Sequence, residues 1–250
     1  ALRSGVCGQS NQWQFWLLPV KKRNLPVIRV VNLTGEAQLD TRYSAEAAHS
    51  LEGAEVTLAT KITPGLLTWV MKGGSVVLLE PNQGSSSGLL SEYGMLTYWP
   101  LWLRCDAQIV ERHPALGDFP HEGFSGFQFM RLFGSAVPAV DFTPRNSVAR
   151  NHVLPIVWGL SLVPWKEDAA RFGYALAYRS PLSECRVGKG RAIICNLWVL
   201  DGLRRGYPEA RYLLDCLVDY AAAETPTLKF PALSAEDAGA LFRVESSSAR

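Results

Sequence analysis

The chain has 250 residues, 48% of them apolar and 19% charged, which allows a sizeable core and excludes disorder for most of its length. Its net charge is +2, and Lys and Arg are scattered instead of forming a stripe, so nothing favours nucleic acid as a partner. The longest apolar runs fall far below a membrane-spanning length, and the N-terminus lacks a signal peptide's layout.

In chain order, residues 1–20 stand apart from the rest of the chain. NQWQFWLLP (Asn11 to Pro19) alternates large apolar and polar residues and stops at Pro, the pattern of one strand with an aromatic face. A lone strand cannot bury such a face. It is expected to add to an edge of the main sheet or to close a preceding domain. Trp13, Phe15 and Trp16 are then exposed or covered by a second copy. With no Met at position 1, the start is read as processed, trimmed or internal to a longer chain.

Residues 26–32, PVIRVVN, form a β-branched run expected to be a buried strand. Residues 43–51 suit a helix with Ser44 as N-cap, and residues 55–59 a second strand. Thr63-Pro64 opens a helix as N-cap and first-turn Pro. Leu66, Leu67 and Val70 supply its apolar stripe, and Gly73-Gly74 ends it. Val76 to Leu79 is apolar on both faces, as in a central parallel strand. This alternation predicts an α/β fold with at least five mostly parallel strands and helices on both sides. The polar loop PNQGSSSGLLSE and an aromatic stretch with Tyr98, Trp99 and Trp102 come next.

His113 to Phe129, HPALGDFPHEGFSGFQF, holds two His, two Pro, three Gly and four Phe, a mixture no regular helix or strand tolerates. It reads as a structured, titratable, aromatic loop, and such loops often carry function. The plainer alternative is that its four Phe plug a hole beneath it. The loop is expected at the carboxyl end of the sheet, beside Glu80, with His121 and Glu122 near the surface. Residues 127–133 suit a short helix.

Short strands are expected at 139–142, 155–157 and 174–178, and a hairpin of 184–187 with 191–196 around Gly188-Lys189-Gly190. Pro208 and Glu209 start the last helix, to Ala222, with Leu213 and Leu217 among its apolar stripe. After Thr225-Pro226 a mobile tail is expected. The domains are thus 1–20, 25–224 and a tail, 225–250. The five Cys, an odd number without CxxC, argue against zinc. They fit a reducing compartment, and also an exported chain with free thiols, so cytoplasmic and periplasmic locations both stand.

NQWQFWLLP, GGSVVLL, HPALGDFPHEGFSGFQF, RVGKGRAIICNLWVL and PEARYLLDCLVDYA together resemble the C-terminal region of large bacterial glycoside hydrolases of family 2, the β-galactosidase-like group. The resemblance covers residues 9–222. It implies a class I glutamine amidotransferase-like fold, a flavodoxin-like three-layer sandwich with a mostly parallel sheet. It also implies that Asn11–Pro19 closes a preceding sandwich domain and that the family's catalytic carboxylates lie in a barrel, itself about 250 residues. The role it implies is accessory: packing on that barrel, making oligomer contacts, or walling the substrate cleft. Its partners are then carbohydrate, other glycoside hydrolase domains or a second copy, with no cofactor and no metal.

True class I amidotransferases need a nucleophilic Cys on a sharp turn after a central strand, activated by His and a carboxylate. Here Glu80 follows that strand. Cys105 lies further on, after Leu-Arg instead of a glycine turn. Cys195 sits within a strand pattern, and position 207 of YPEAR is Tyr where His is wanted. A degenerate, sensor-like relative is a third, weaker reading. A stand-alone glycosidase would need two carboxylates roughly 5 Å or 6.5–9.5 Å apart. The candidates are Glu80, Asp118, Glu122 and Asp201, with His121 orienting Glu122. Trp99, Trp102, His113, Phe124 and Phe127 are candidate sugar contacts. The competing structural readings are a solvated strand end or helix cap for Glu80, a loop-internal hydrogen bond for His121 and Glu122, and core or interface packing for the rings. The Gly188-Lys189-Gly190 turn is too short for a phosphate loop.

Overall fold

The computed structural model describes residues 5–6, 9–10, 17–18, 28–43, 51–80, 90–91, 108–133, 139–142, 147–164, 174–223 and 230–242. The strands in chain order are β1 (Gly5–Val6), β2 (Gln9–Ser10), β3 (Val30–Leu33), β4 (Val56–Ala59), β5 (Ser75–Leu79), β6 (Leu90–Ser91), β7 (Ile109–Val110), β8 (Ala139–Asp141), β9 (Val153–Pro164), β10 (Tyr174–Val187) and β11 (Gly190–Cys195). The helices are α1 (Ala37–Tyr43), α2 (Pro64–Met71), α3 (Phe127–Met130), α4 (Ser147–His152), α5 (Val199–Arg204), α6 (Pro208–Ala222) and α7 (Ala235–Phe242).

β1 and β2 pair with each other, and the other nine strands form one mixed sheet. The expected parallel order holds for β3, β4, β5 and β11, which lie side by side in that sequence. Beyond β11 the sheet turns antiparallel, because β10 and β11 join through the two-residue turn Gly188-Lys189 and so must run in opposite senses. β10 also pairs antiparallel with β9 and β8, β9 with β7, and β8 with β6. The fold is therefore α/β, with a parallel half and an antiparallel half.

The central strands are buried on both faces, as their unbroken apolar runs require. Val77, Leu79, Ile193 and Cys195 face one core, with α1, α5, α6 and the turn Pro114–Leu116. Val76, Leu78, Ala192 and Ile194 face the other, with α2, α4 and α7. Leu213 and Leu217 of α6 lie fully buried in the first core, as its apolar stripe predicts.

Thr63 caps α2 as expected, its Oγ1 accepting from the Leu66 N–H at 3.3 Å. The end of α2 receives the β10–β11 turn: Lys189 N–H donates to the Met71 carbonyl and Arg191 N–H to that of Gly74. A Cβ on Gly190 would stand 2.1 Å from the Val70 carbonyl oxygen and 2.2 Å from that of Gly74, so only glycine fits. The RVGKGR segment is thus a clasp between sheet and helix.

Of the helix expected over residues 43–51, residues 44–50 lie outside the described residues. Helix α1 before it was not expected: Thr34 Oγ1 accepts from Glu36 N–H in the turn that starts it, and Leu39 and Tyr43, one turn apart, reach the core. The expected tail, 225–250, needs correction. Leu233, Ala238 and Leu241 are buried in the second core, and Ser234 caps α7, accepting from Asp237 N–H at 3.0 Å. Of the N-terminal segment, Leu18 packs against the first core and Leu17 is exposed. Trp13, Phe15 and Trp16 lie outside the described residues, as do Tyr98, Trp99, Trp102 and Cys105.

Candidate functional site

Glu80 stands where the central strand β5 ends, the edge at which parallel α/β sheets bind ligands. Its N–H donates to the Cys195 carbonyl at 2.7 Å, holding it to the end of β11. Its φ of 47° lies in the left-handed region, the sharp turn a nucleophile position would need. The side chain, however, is 6% exposed and turned inward. Oε1 accepts from the Leu200 N–H at 2.5 Å and the Asp201 N–H at 3.3 Å, the open donors in the first turn of α5. Burial pushes its carboxyl above the ordinary value, opposed by those backbone donors and by Arg204. Glu80 is therefore the helix cap that the structural reading of the sequence described.

The surrounding edge is ionic. Arg204 is paired with Glu36, and Asp201 with Arg205 at 2.8 Å. Cys195 is buried, and burial pushes its thiol up to about 12, so it carries no thiolate near neutral pH.

His113 lies level with the middle of the strands, and not at the carboxyl edge where it was expected. Its Nε2 is 3.2 Å from Glu184 Oε2, and Glu184 is 3.8 Å from Arg191 Nη1. Glu184 pairs in register with Ile193, and Ile193 with Val77 at the middle of β5, whereas Cys195 pairs with Leu79, the last. Two residues of strand rise, about 7 Å, thus separate the level of Glu184 from the end of β5. His113 Nδ1 accepts from the Ala115 N–H, capping the turn Pro114–Leu116, so the hydrogen sits on Nε2 and points at Glu184. The Tyr220 hydroxyl donates to Glu184 at 2.9 Å, and the Arg191 guanidinium lies 4.4 Å from the Tyr220 ring centre. Burial first, then the Glu184 charge, raises the Tyr220 phenol to about 12 and keeps it a donor. This buried network was missed by sequence reasoning. Its signal was Glu184 and Arg191, opposite charges on the two strands of a tight hairpin.

From His113 the segment continues past α6 to the Glu80 edge. Phe119 and Phe129 stack edge to face at 5.0 Å in the first core, and the Leu132 carbonyl accepts from the Trp198 N–H. Two of its four Phe do plug a hole, while Phe124 and Phe127 are 57% and 76% exposed. His121 Nδ1 accepts from the Gly123 N–H, the loop-internal bond of the structural reading, and burial, with Arg112, lowers its pKa. Glu122 and Asp118 are exposed.

Phe124 is bridged to Ile109 of β7, and β9, β10 and β11 stand between β7 and the strand that ends at Glu80. At ~4.8 Å per strand, the Glu122 and Glu80 carboxylates stand on the order of 20 Å apart, beyond either glycosidase spacing. His121 and Glu122 are near the surface as expected, and not beside Glu80. Among the described residues no cluster of His, Cys, Asp and Glu suits a metal ion.

The residues from β4 to the first turn of α7, 57–236, match a family model described as a domain of unknown function, DUF8487. No curated protein matches the chain. The matched stretch spans most of the sheet, the α2 clasp, the Glu80 cap and the Glu184 network, and the chain belongs to the DUF8487 family.

Proposed function

We propose that this chain is a noncatalytic accessory domain of a carbohydrate-active protein of the β-galactosidase-like kind, with a three-layer, class I glutamine amidotransferase-like architecture. Its role is to pack against a catalytic domain or a second copy. The observation that carries this reading is Glu80. The strand end that would present a nucleophile presents a carboxyl turned into α5 and bound to two backbone N–H groups. A capping carboxylate is committed to structure, since releasing it would uncover those donors. The neighbouring Cys195 thiol, at about 12, gives no alternative nucleophile. Cores on both faces of the sheet support the layered architecture, and the sequence resemblance supports the glycoside hydrolase context.

The test is turnover of aryl β-galactosides by the purified chain, beside Glu80→Gln and Glu122→Gln, with light scattering for its mass in solution. No turnover is expected from any of the three. Turnover that either substitution abolishes would make the chain an enzyme and end the accessory reading.

A further inference from the structure

We propose that the outer face of β7, β9 and β10 is a stacking platform for a neutral oligosaccharide, formed by Phe124, Trp158 and Tyr178 with Glu111 as its acceptor. The arrangement comes from strand alternation. Val110 points into the first core, so its neighbours Ile109 and Glu111 point outward, and Trp158, opposite Ile109 and bonded to Glu111, shares their face. Ile109 stands directly opposite both Trp158 and Phe124, and directly paired residues share a face. Phe124, Ile109 and Trp158 therefore form one row. Tyr178 of β10 extends it, with its ring centre 5.7 Å from that of Trp158 and the planes 42° apart.

The row is open: Phe124 is 57% and Tyr178 51% exposed, and Trp158 is half-buried. Two strand spacings plus the Trp158–Tyr178 step make it about 15 Å long, room for more than one sugar ring. Trp158 Nε1–H donates to Glu111 Oε1 at 2.7 Å, which fixes the indole plane and sets a carboxylate at its edge. That carboxylate has lone pairs left to accept from hydroxyls.

The occupant is set by this pairing of flat apolar faces with a fixed negative acceptor. A sugar lays its C–H face on the rings and offers O–H donors at its rim. An anionic ligand would be repelled by Glu111. An apolar protein surface would bury that carboxylate without a cation. The choice of a sugar among polyhydroxylated rings rests on the proposed carbohydrate-active role.

The test is calorimetric titration of the whole chain with galactotetraose and with cellotetraose. At least one is expected to bind saturably, and Trp158→Ala and Tyr178→Ala are each expected to weaken it about tenfold or more. Met130→Ala, an exposed side chain outside the row, should leave binding unchanged. Tyr178→Ala removes a largely exposed ring, so near-UV circular dichroism should stay native and keep the result readable if Trp158→Ala misfolds. Three results would overturn the proposal: neither saccharide binds, binding survives both platform substitutions, or light scattering finds a dimer that Tyr178→Ala dissociates. Turnover of aryl galactosides is a separate readout, and it would end the accessory reading without touching the platform.

Discussion

Glu80 combines a buried carboxyl with a left-handed backbone that costs an L-residue about 1–2 kcal/mol. Because its folded pKa is raised, the stability owed to its protonated form is complete below 4.5 and is lost as pH rises through the higher folded value. Glu80→Gln cannot ionise and keeps an oxygen for the Leu200 N–H. It should flatten that part of the pH profile and change stability at pH 7 by no more than about 1 kcal/mol. Urea denaturation from pH 4 to 7 measures this, and an unaltered slope would refute it. Tyr220 works at the other extreme. Its phenol is raised from 10.0 to about 12, so stability should fall as pH climbs through that interval. Tyr220→Phe should remove this fall and cost about 2 kcal/mol at neutral pH, the value of a hydrogen bond to a buried charge. His113→Ala should cost more, about 3 kcal/mol, since it strips both the Ala115 cap and a partner of buried Glu184.

Elements were legible where local chemistry and tertiary packing agree. Thr63-Pro64, Gly188-Lys189 and Pro208-Glu209 each mark a boundary that the structure keeps. α1 was missed because the Thr34 turn that starts it signals with a single hydroxyl. α7 was lost in an assumed tail although Ser234 and Asp237 spell a capping pair before Ala238 and Leu241. Ser234→Ala should cost about 1 kcal/mol and fray α7, visible as faster amide exchange there. The clasp at Gly190 is the least forgiving junction. Gly190→Ala drives a Cβ into two backbone carbonyls that cannot swing aside, and should destabilise by about 3 kcal/mol in chemical denaturation. Retention of wild-type stability would mean that α2 and the turn are less tightly joined than their hydrogen bonds imply.

Across the whole molecule, sequence alternation foretold an α/β fold but not where its parallel half stops. That boundary depends on the reach of β9 and β10, 12 and 14 residues long, of which only the pieces 155–157, 174–178 and 184–187 stood out. The candidate site was legible one residue at a time and not as an assembly. Glu80 could be placed at a strand end from its neighbours alone, but its orientation depends on α5, about 120 residues later in the chain. His113 was drawn to the carboxyl edge, and not to mid-sheet, because a loop's direction across a helix leaves no periodic trace in sequence.

The position of β5 between β4 and β11 also bears on how the chain is made. One edge of β5 can be covered as soon as β4 and β5 have emerged, but the other waits for β11, about 115 residues further on. At roughly 5–20 residues per second, a ribosome leaves that all-apolar edge open for about 6–23 s. Through that interval Val76 to Leu79 is an unpaired template for any passing strand, so the nascent chain should need a holding chaperone until Cys195 is out.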